Sequence, residues 1–120
     1  MGIGFGPGAP WAAVSQFDCR RKAKTDATGP LWLRVYFAAV GWTNRVGHAE
    51  FAKGALADVL GVSGKPHAAQ DVQKAIRAAK QHGLIGQESG ARCLVLPRFH
   101  VQKEGLGTGS CQVHGLRTSV

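Results

Sequence analysis

Between Gly47 and Pro97 the chain carries a succession of patterns that few folds accommodate. The stretch Gly54-Ala55-Leu56-Ala57-Asp58-Val59-Leu60-Gly61-Val62-Ser63 predicts a short helix over 53–60 that stops at a glycine. Leu56, Val59 and Leu60 are expected inside, Gly61 in the left-handed position that ends the helix, and Val62 packed back into the turn. A longer helix follows, from 66 or 68 to 82. Val72, Ala75, Ile76 and Ala79 recur on its inner face, and Gly83 with Leu84 supplies a stop signal. Residues 84–88 and 92–96 then read as two short strands around Ser89-Gly90-Ala91, with Pro97 ending the second because it cannot donate to a ladder. The expected class is mainly α with a small β-hairpin.

The flanks extend this picture. Pro30 suits the first position of a helix, where its missing N–H is no loss, and Leu31, Val35, Ala38, Ala39 and Trp42 follow at helical spacing. The rings of Trp32, Tyr36, Phe37 and Trp42 sit among aliphatics, which favours core packing over base stacking. His48-Ala49-Glu50-Phe51-Ala52 reads as a short extended segment. Further upstream a helix is expected from Pro10 to about Lys24, with Trp11, Val14 and Phe17 as its apolar stripe and Arg20, Arg21, Lys22 and Lys24 crowding its end. Residues 1–28 are thus a Gly/Pro-rich arm, 29–98 the folded domain, and 99–120 a Gly-rich tail.

Charge narrows the partner. The chain has 15 basic and 7 acidic residues, a formal net charge of +8, which suits a polyanion. Residues 53–98 alone hold seven basic residues against three acidic ones. No segment is long enough to span a bilayer, since the apolar run from Leu31 to Trp42 is short and includes Arg34. The opening Met1-Gly2-Ile3-Gly4-Phe5-Gly6-Pro7-Gly8 has no basic region before an apolar core, so no secretory signal is expected. Three cysteines are too few for a disulfide scaffold, which suggests a reducing cytoplasm and thiols that meet a metal.

The tail supplies that chemistry. Cys111-Gln112-Val113-His114 is a Cys-x2-His pair, and Cys93 and His100 lie upstream. Two thiolates and two imidazoles are a ligand set that structural zinc favours, so Cys93, His100, Cys111 and His114 are the expected ligands of one structural zinc. Cys19 and His48 are the reserve candidates. An enzyme is not expected. His48-Ala49-Glu50 matches half of a zinc-deaminase signature, but the Pro-Cys-x-x-Cys half is missing. Nothing orients a third group beside a Cys–His nucleophilic pair.

The residues from 31 to 97 resemble winged helix-turn-helix regulators and replication-initiator-type domains. Gly54 to Ser63, Ala75-Ile76-Arg77-Ala78-Ala79 and Gly83-Leu84-Ile85 carry the likeness, which is greatest to small DNA-binding proteins of actinobacteria and their phages. The resemblance implies non-enzymatic double-stranded DNA binding in transcription or replication control, on the nucleoid. The second helix of such a unit enters the major groove. Gln70, Gln73, Lys74, Arg77, Lys80 and Gln81 would face bases and phosphates there, with Lys65 from the preceding turn and Arg92 from the wing. A homodimer would supply two half-sites. The alternative is a protein-interaction module on the same scaffold, such as a phage protein that binds a host factor.

Overall fold

The computed structural model describes residues 8, 10–97 and 110–117. Among these residues four helices and four short strands follow one another: α1 (Gln16–Ala23), α2 (Leu31–Trp42), β1 (His48–Glu50), α3 (Ala55–Val59), α4 (Ala69–Gln81), β2 (Cys93–Val95), β3 (Ser110–Cys111) and β4 (Leu116–Arg117). A single 3-10 turn, Asp26–Thr28, joins α1 to α2. The fold is mainly helical with two small antiparallel sheets, β1–β2 and β3–β4. Among the described residues no helix is long and apolar enough to cross a membrane.

Helix α1 starts six residues later than its apolar pattern suggests. Ser15 is its N-cap, and the hydroxyl accepts from the Asp18 N–H at 3.1 Å. Asp18 in the first turn and Arg20, Arg21 and Lys22 in the last complement the helix dipole. The expected stripe faces solvent instead: Trp11, Val14 and Phe17 are 55%, 67% and 80% exposed. Cys19 and Ala23 form the buried face.

That buried face rests on α2, where polar side chains do part of the docking. Helix α2 ends at Thr43 in an extended conformation and leaves carbonyls without intrahelical partners. Gln16 Nε2 donates to Val40 O at 2.9 Å and to Thr43 O at 3.3 Å, and Arg20 Nε donates to Gly41 O at 2.6 Å. One helix therefore caps the C-terminus of the other. In return Arg34 of α2, only 2% exposed, donates from Nε to Ala23 O at 3.0 Å and from Nη1 to Asp26 Oδ1 at 3.1 Å. The spacing of apolar residues gave no sign that this arginine lies inside.

Helix α3 is shorter than expected but buries Leu56 and Leu60 as foreseen. Gly61 serves a different purpose from the one expected. It is absent from the positive-φ residues, and a Cβ there would stand 2.2 Å from the Lys65 carbonyl oxygen. The left-handed conformation falls on Ser63 and Gly64 (φ 54° and 78°), in a tight turn closed by Val62 N–H to Lys65 O and Lys65 N–H to Val62 O, both at 3.0 Å. Val62 is 44% exposed rather than packed back. Helix α4 buries Val72, Ala75, Ile76 and Ala79 as predicted. It stops where Leu84 N–H reaches back to Ala79 O at 3.0 Å, as in a Schellman turn.

The expected pairing of 84–88 with 92–96 is replaced by another. Residues 84–88 are turns, and β2 pairs with β1 in the register His48 with Val95, Ala49 with Leu94 and Glu50 with Cys93. Only vestiges of the hairpin remain: Gly86 N–H donates to Val95 O at 2.7 Å, and Gly90 and Cys93 exchange backbone bonds. Between them the Ser89 hydroxyl accepts from Val95 N–H at 2.8 Å, taking the place of a ladder rung. The other edge of β2 is satisfied on β1.

Gly41 lies at the α1–α2 crossing, where an added Cβ would come within 2.8 Å of Arg20 Cγ and 3.0 Å of the Arg20 backbone nitrogen. Replacing a helical glycine by alanine ordinarily gains about 1 kcal/mol. Here Gly41→Ala is expected to destabilise by about 1–3 kcal/mol, because the clash includes backbone. Urea unfolding would measure it, and a stabilised variant would refute the close crossing.

Candidate metal centre and outward helix face

The β1–β2 ribbon sorts its side chains by the period of two that strands impose. Ala49 and Leu94 turn into the main core with Val35, Leu56, Leu60 and Ile76. His48, Glu50, Cys93 and Val95 belong to the opposite face. There Cys93 and Val95 form a second, much smaller buried cluster with Cys111. Cys111 opens the β3–β4 hairpin, whose turn holds Gln112, Val113 and His114.

Four side chains converge at this junction: His48, Cys93, Cys111 and His114, with one donor atom from each and all four within 4.8 Å of one another. His48 Nδ1 is 3.2 Å from His114 Nδ1 and 3.4 Å from Cys93 Sγ. Cys93 Sγ is 3.5 Å from Cys111 Sγ, which is 3.4 Å from His114 Nδ1. In a tetrahedron with nitrogen at ~2.0–2.1 Å and sulfur at ~2.3 Å, neighbouring donors stand roughly 3.3 Å (N to N) to 3.8 Å (S to S) apart. The four distances around the ring fall near that range and the two across it are within 4.8 Å, so the four residues form a candidate metal site.

The surroundings orient these donors. His114 Nε2 lies 2.9 Å from the Glu88 carbonyl oxygen, which accepts the ring proton there and leaves Nδ1 as a lone pair facing the cluster. The His114 backbone N–H points to Cys111 Sγ at 3.4 Å and supports negative charge on that sulfur. Glu50 Oε1 accepts the backbone N–H groups of Gln112 and Val113 and so fastens the Cys-x2-His turn to β1. Burial alone would raise the Glu50 carboxyl, but these N–H groups and the Cys111 side chain outweigh it and hold it below the ordinary value. Burial, followed by the neighbouring Cys111 sulfur, pushes the Cys93 thiol far up. Two thiolates side by side here need a cation between them.

Three of the four expected ligands, Cys93, Cys111 and His114, are thus brought together, and His48 completes the set. His100 lies outside the described residues. Cys19 belongs to the main core on α1. The clue to His48 was available in principle: a histidine two residues from a glutamate on a strand shares its face, yet nothing in the sequence says which strand it will pair with.

The residues expected to contact DNA divide into a stripe and its margins. Gln70, Gln73, Lys74, Arg77 and Gln81 are exposed at steps of three and four along α4, and the first four line a shallow depression with Ala69. Lys80 is half-buried beside this stripe, and Lys65 is exposed in the turn before α4. Arg92 is exposed, but its Nε donates to Phe51 O at 2.8 Å, which anchors the side chain at β1's end.

No protein-family model matches the chain, and neither a curated protein nor a solved structure matches it.

His48→Ala is expected to abolish tight binding of one cobalt ion, read from the visible bands of tetrahedral thiolate-ligated cobalt. His100→Ala is expected to leave those bands in place. The reverse result would restore His100 to the ligand set and remove His48.

Proposed function

We propose that the protein is a non-enzymatic double-stranded DNA-binding domain of the winged helix-turn-helix type, braced by one structural zinc ion. The observation that carries the reading is the outward stripe of α4. Amides that can bond adenine (Gln70, Gln73) and cations that can bond guanine or phosphate (Lys74, Arg77) alternate on one exposed face. The opposite face of the same helix is buried as Val72, Ala75, Ile76 and Ala79. The order helix, strand, short helix, longer helix, strand from α2 to β2 is compatible with the fold. The net charge of +8 supplies the attraction to phosphate.

Zinc suits the centre because it accepts two sulfur and two nitrogen donors in a tetrahedron without electronic preference. Four protein ligands close the coordination sphere, which is the pattern of a structural rather than a catalytic zinc. His48, Cys93, Cys111 and His114 would hold the ion, and its charge would balance the two thiolates. Its work is to fasten the 110–117 hairpin to β1 and β2.

Fluorescence anisotropy with labelled duplex DNA at two salt concentrations tests the first part. Binding is expected to fall steeply with salt, with a log–log slope of about −0.9 for each phosphate contacted. Lys74→Ala with Arg77→Ala is expected to weaken binding at least tenfold and flatten the slope. Unchanged affinity would sink the assignment of α4. One equivalent of zinc in the purified chain is the expected metal content, and none would remove the brace.

A second reading is favoured by one observation. Trp11, Val14 and Phe17, just before and in the first turn of α1, are large, apolar and exposed, as in a patch that meets another protein. In that case the α4 double variant would keep its activity.

A further inference from the structure

Cys93 and Cys111 are held for a second kind of bond. Their sulfur atoms are 3.5 Å apart, and the two residues are 0% and 1% exposed. Closing to a disulfide, at about 2.05 Å, asks for roughly 1.5 Å of approach between the sulfurs. Each sulfur meets the other beside Val95, with the His48 ring 3.4 Å from Cys93 Sγ and the His114 ring 3.4 Å from Cys111 Sγ. The third cysteine, Cys19, lies in the other core, against α2.

We propose that Cys93–Cys111 is a site of intrachain disulfide formation by hydroperoxides, so that residues 110–117 are stapled to β2 either by the metal or by a covalent bond. The Cys111 sulfur, supported by the His114 backbone N–H, attacks the peroxide. Its S–O bond forms, the O–O bond breaks, and one water leaves. Cys93 then attacks the sulfenic sulfur. The S–S bond forms, the S–O bond breaks, and the hydroxyl leaves as water with the second thiol proton. Two thiols and one hydrogen peroxide give one disulfide and two waters. Where a divalent metal holds both thiolates, two protons from solvent complete the balance and the ion is released. His48 and His114 take no part in the electron transfer. The bond would close a loop with 17 residues between the cysteines, a span long enough for such a link to restrain the unfolded chain.

This proposal shares its site with the zinc reading but does not rest on it, because the sulfur separation is a property of the chain. The test uses the full chain, once as purified and once stripped by chelator, exposed to hydrogen peroxide. In the stripped chain the thiol count under denaturing conditions should fall from three to one. The intact mass should fall by about 2 Da and return with a thiol reductant. Peptide mapping should join the Cys93 and Cys111 peptides. If zinc is bound, one ion should appear for each two thiols consumed. Cys19→Ser should behave as the parent, and Cys111→Ser should lose the 2 Da change. Retention of three thiols, gain of oxygen without linkage, pairing through Cys19, or dimers between chains would each overturn the proposal. Zinc content is measured separately, so a chain without zinc that still forms the link would refute the brace alone. A zinc-bound chain that forms no link would refute only the disulfide.

Discussion

The antiparallel pairing of His48-Ala49-Glu50 with Cys93-Leu94-Val95 is the contact on which the rest of the molecule depends. Three rungs join segments more than forty residues apart, and their pleat divides the interior in two. Ala49 and Leu94 close the helical core on one side. On the other, His48, Glu50 and Cys93 provide the ground on which the C-terminal hairpin is seated. A slip of one residue in this register would exchange the two sets, putting histidine and glutamate against Leu56 and Ile76. Burial of uncompensated polar groups makes that slip costly, so the main core itself fixes the geometry of the metal centre.

The two halves differ in what can hold them. The main core gathers side chains from all four helices and from both strands of the ribbon. Among the described residues the second cluster contains Cys93, Val95 and Cys111, too little apolar surface to order a hairpin. Directional links replace area there: the Glu50 carboxylate on two N–H groups, the His114 ring on the Glu88 carbonyl, and four donor atoms within 4.8 Å of one another. A metal ion bound by these four residues, as proposed, would supply free energy that burial of so small a cluster cannot. It would also explain why the same two sulfurs stand close enough to join directly.

Helix α2 is the hub of the remaining structure, with α1 packed on it through capped carbonyls and α4 through aliphatic contacts. Holding α4 by one face leaves its other face free, and that free face carries amides and cations in one stripe. The ring stack of Trp32 on His82, with centroids 4.0 Å apart, ties the start of α2 to the end of α4.

Local pattern in the sequence determined much of this. The apolar period of Val72, Ala75, Ile76 and Ala79 fixed α4 and its outward stripe, because helical spacing needs no distant partner to be read. The pair Cys111 and His114 marked a candidate metal site, because a Cys-x2-His turn is a local arrangement. Tertiary structure alone decided the rest. Apolarity at Trp11, Val14 and Phe17 suggested a buried stripe, but Ser15 starts the helix late and Cys19, Ala23 and Arg20 take the inner face. Leucine spacing in α2 concealed Arg34, whose burial depends on a carbonyl and a carboxylate from another element. His48 joined the metal site, and β2 left its expected partner, through a single strand pairing. Such pairings are set by register and by the competition of distant segments for open hydrogen-bonding edges, and neither is written in the spacing of residues along the chain.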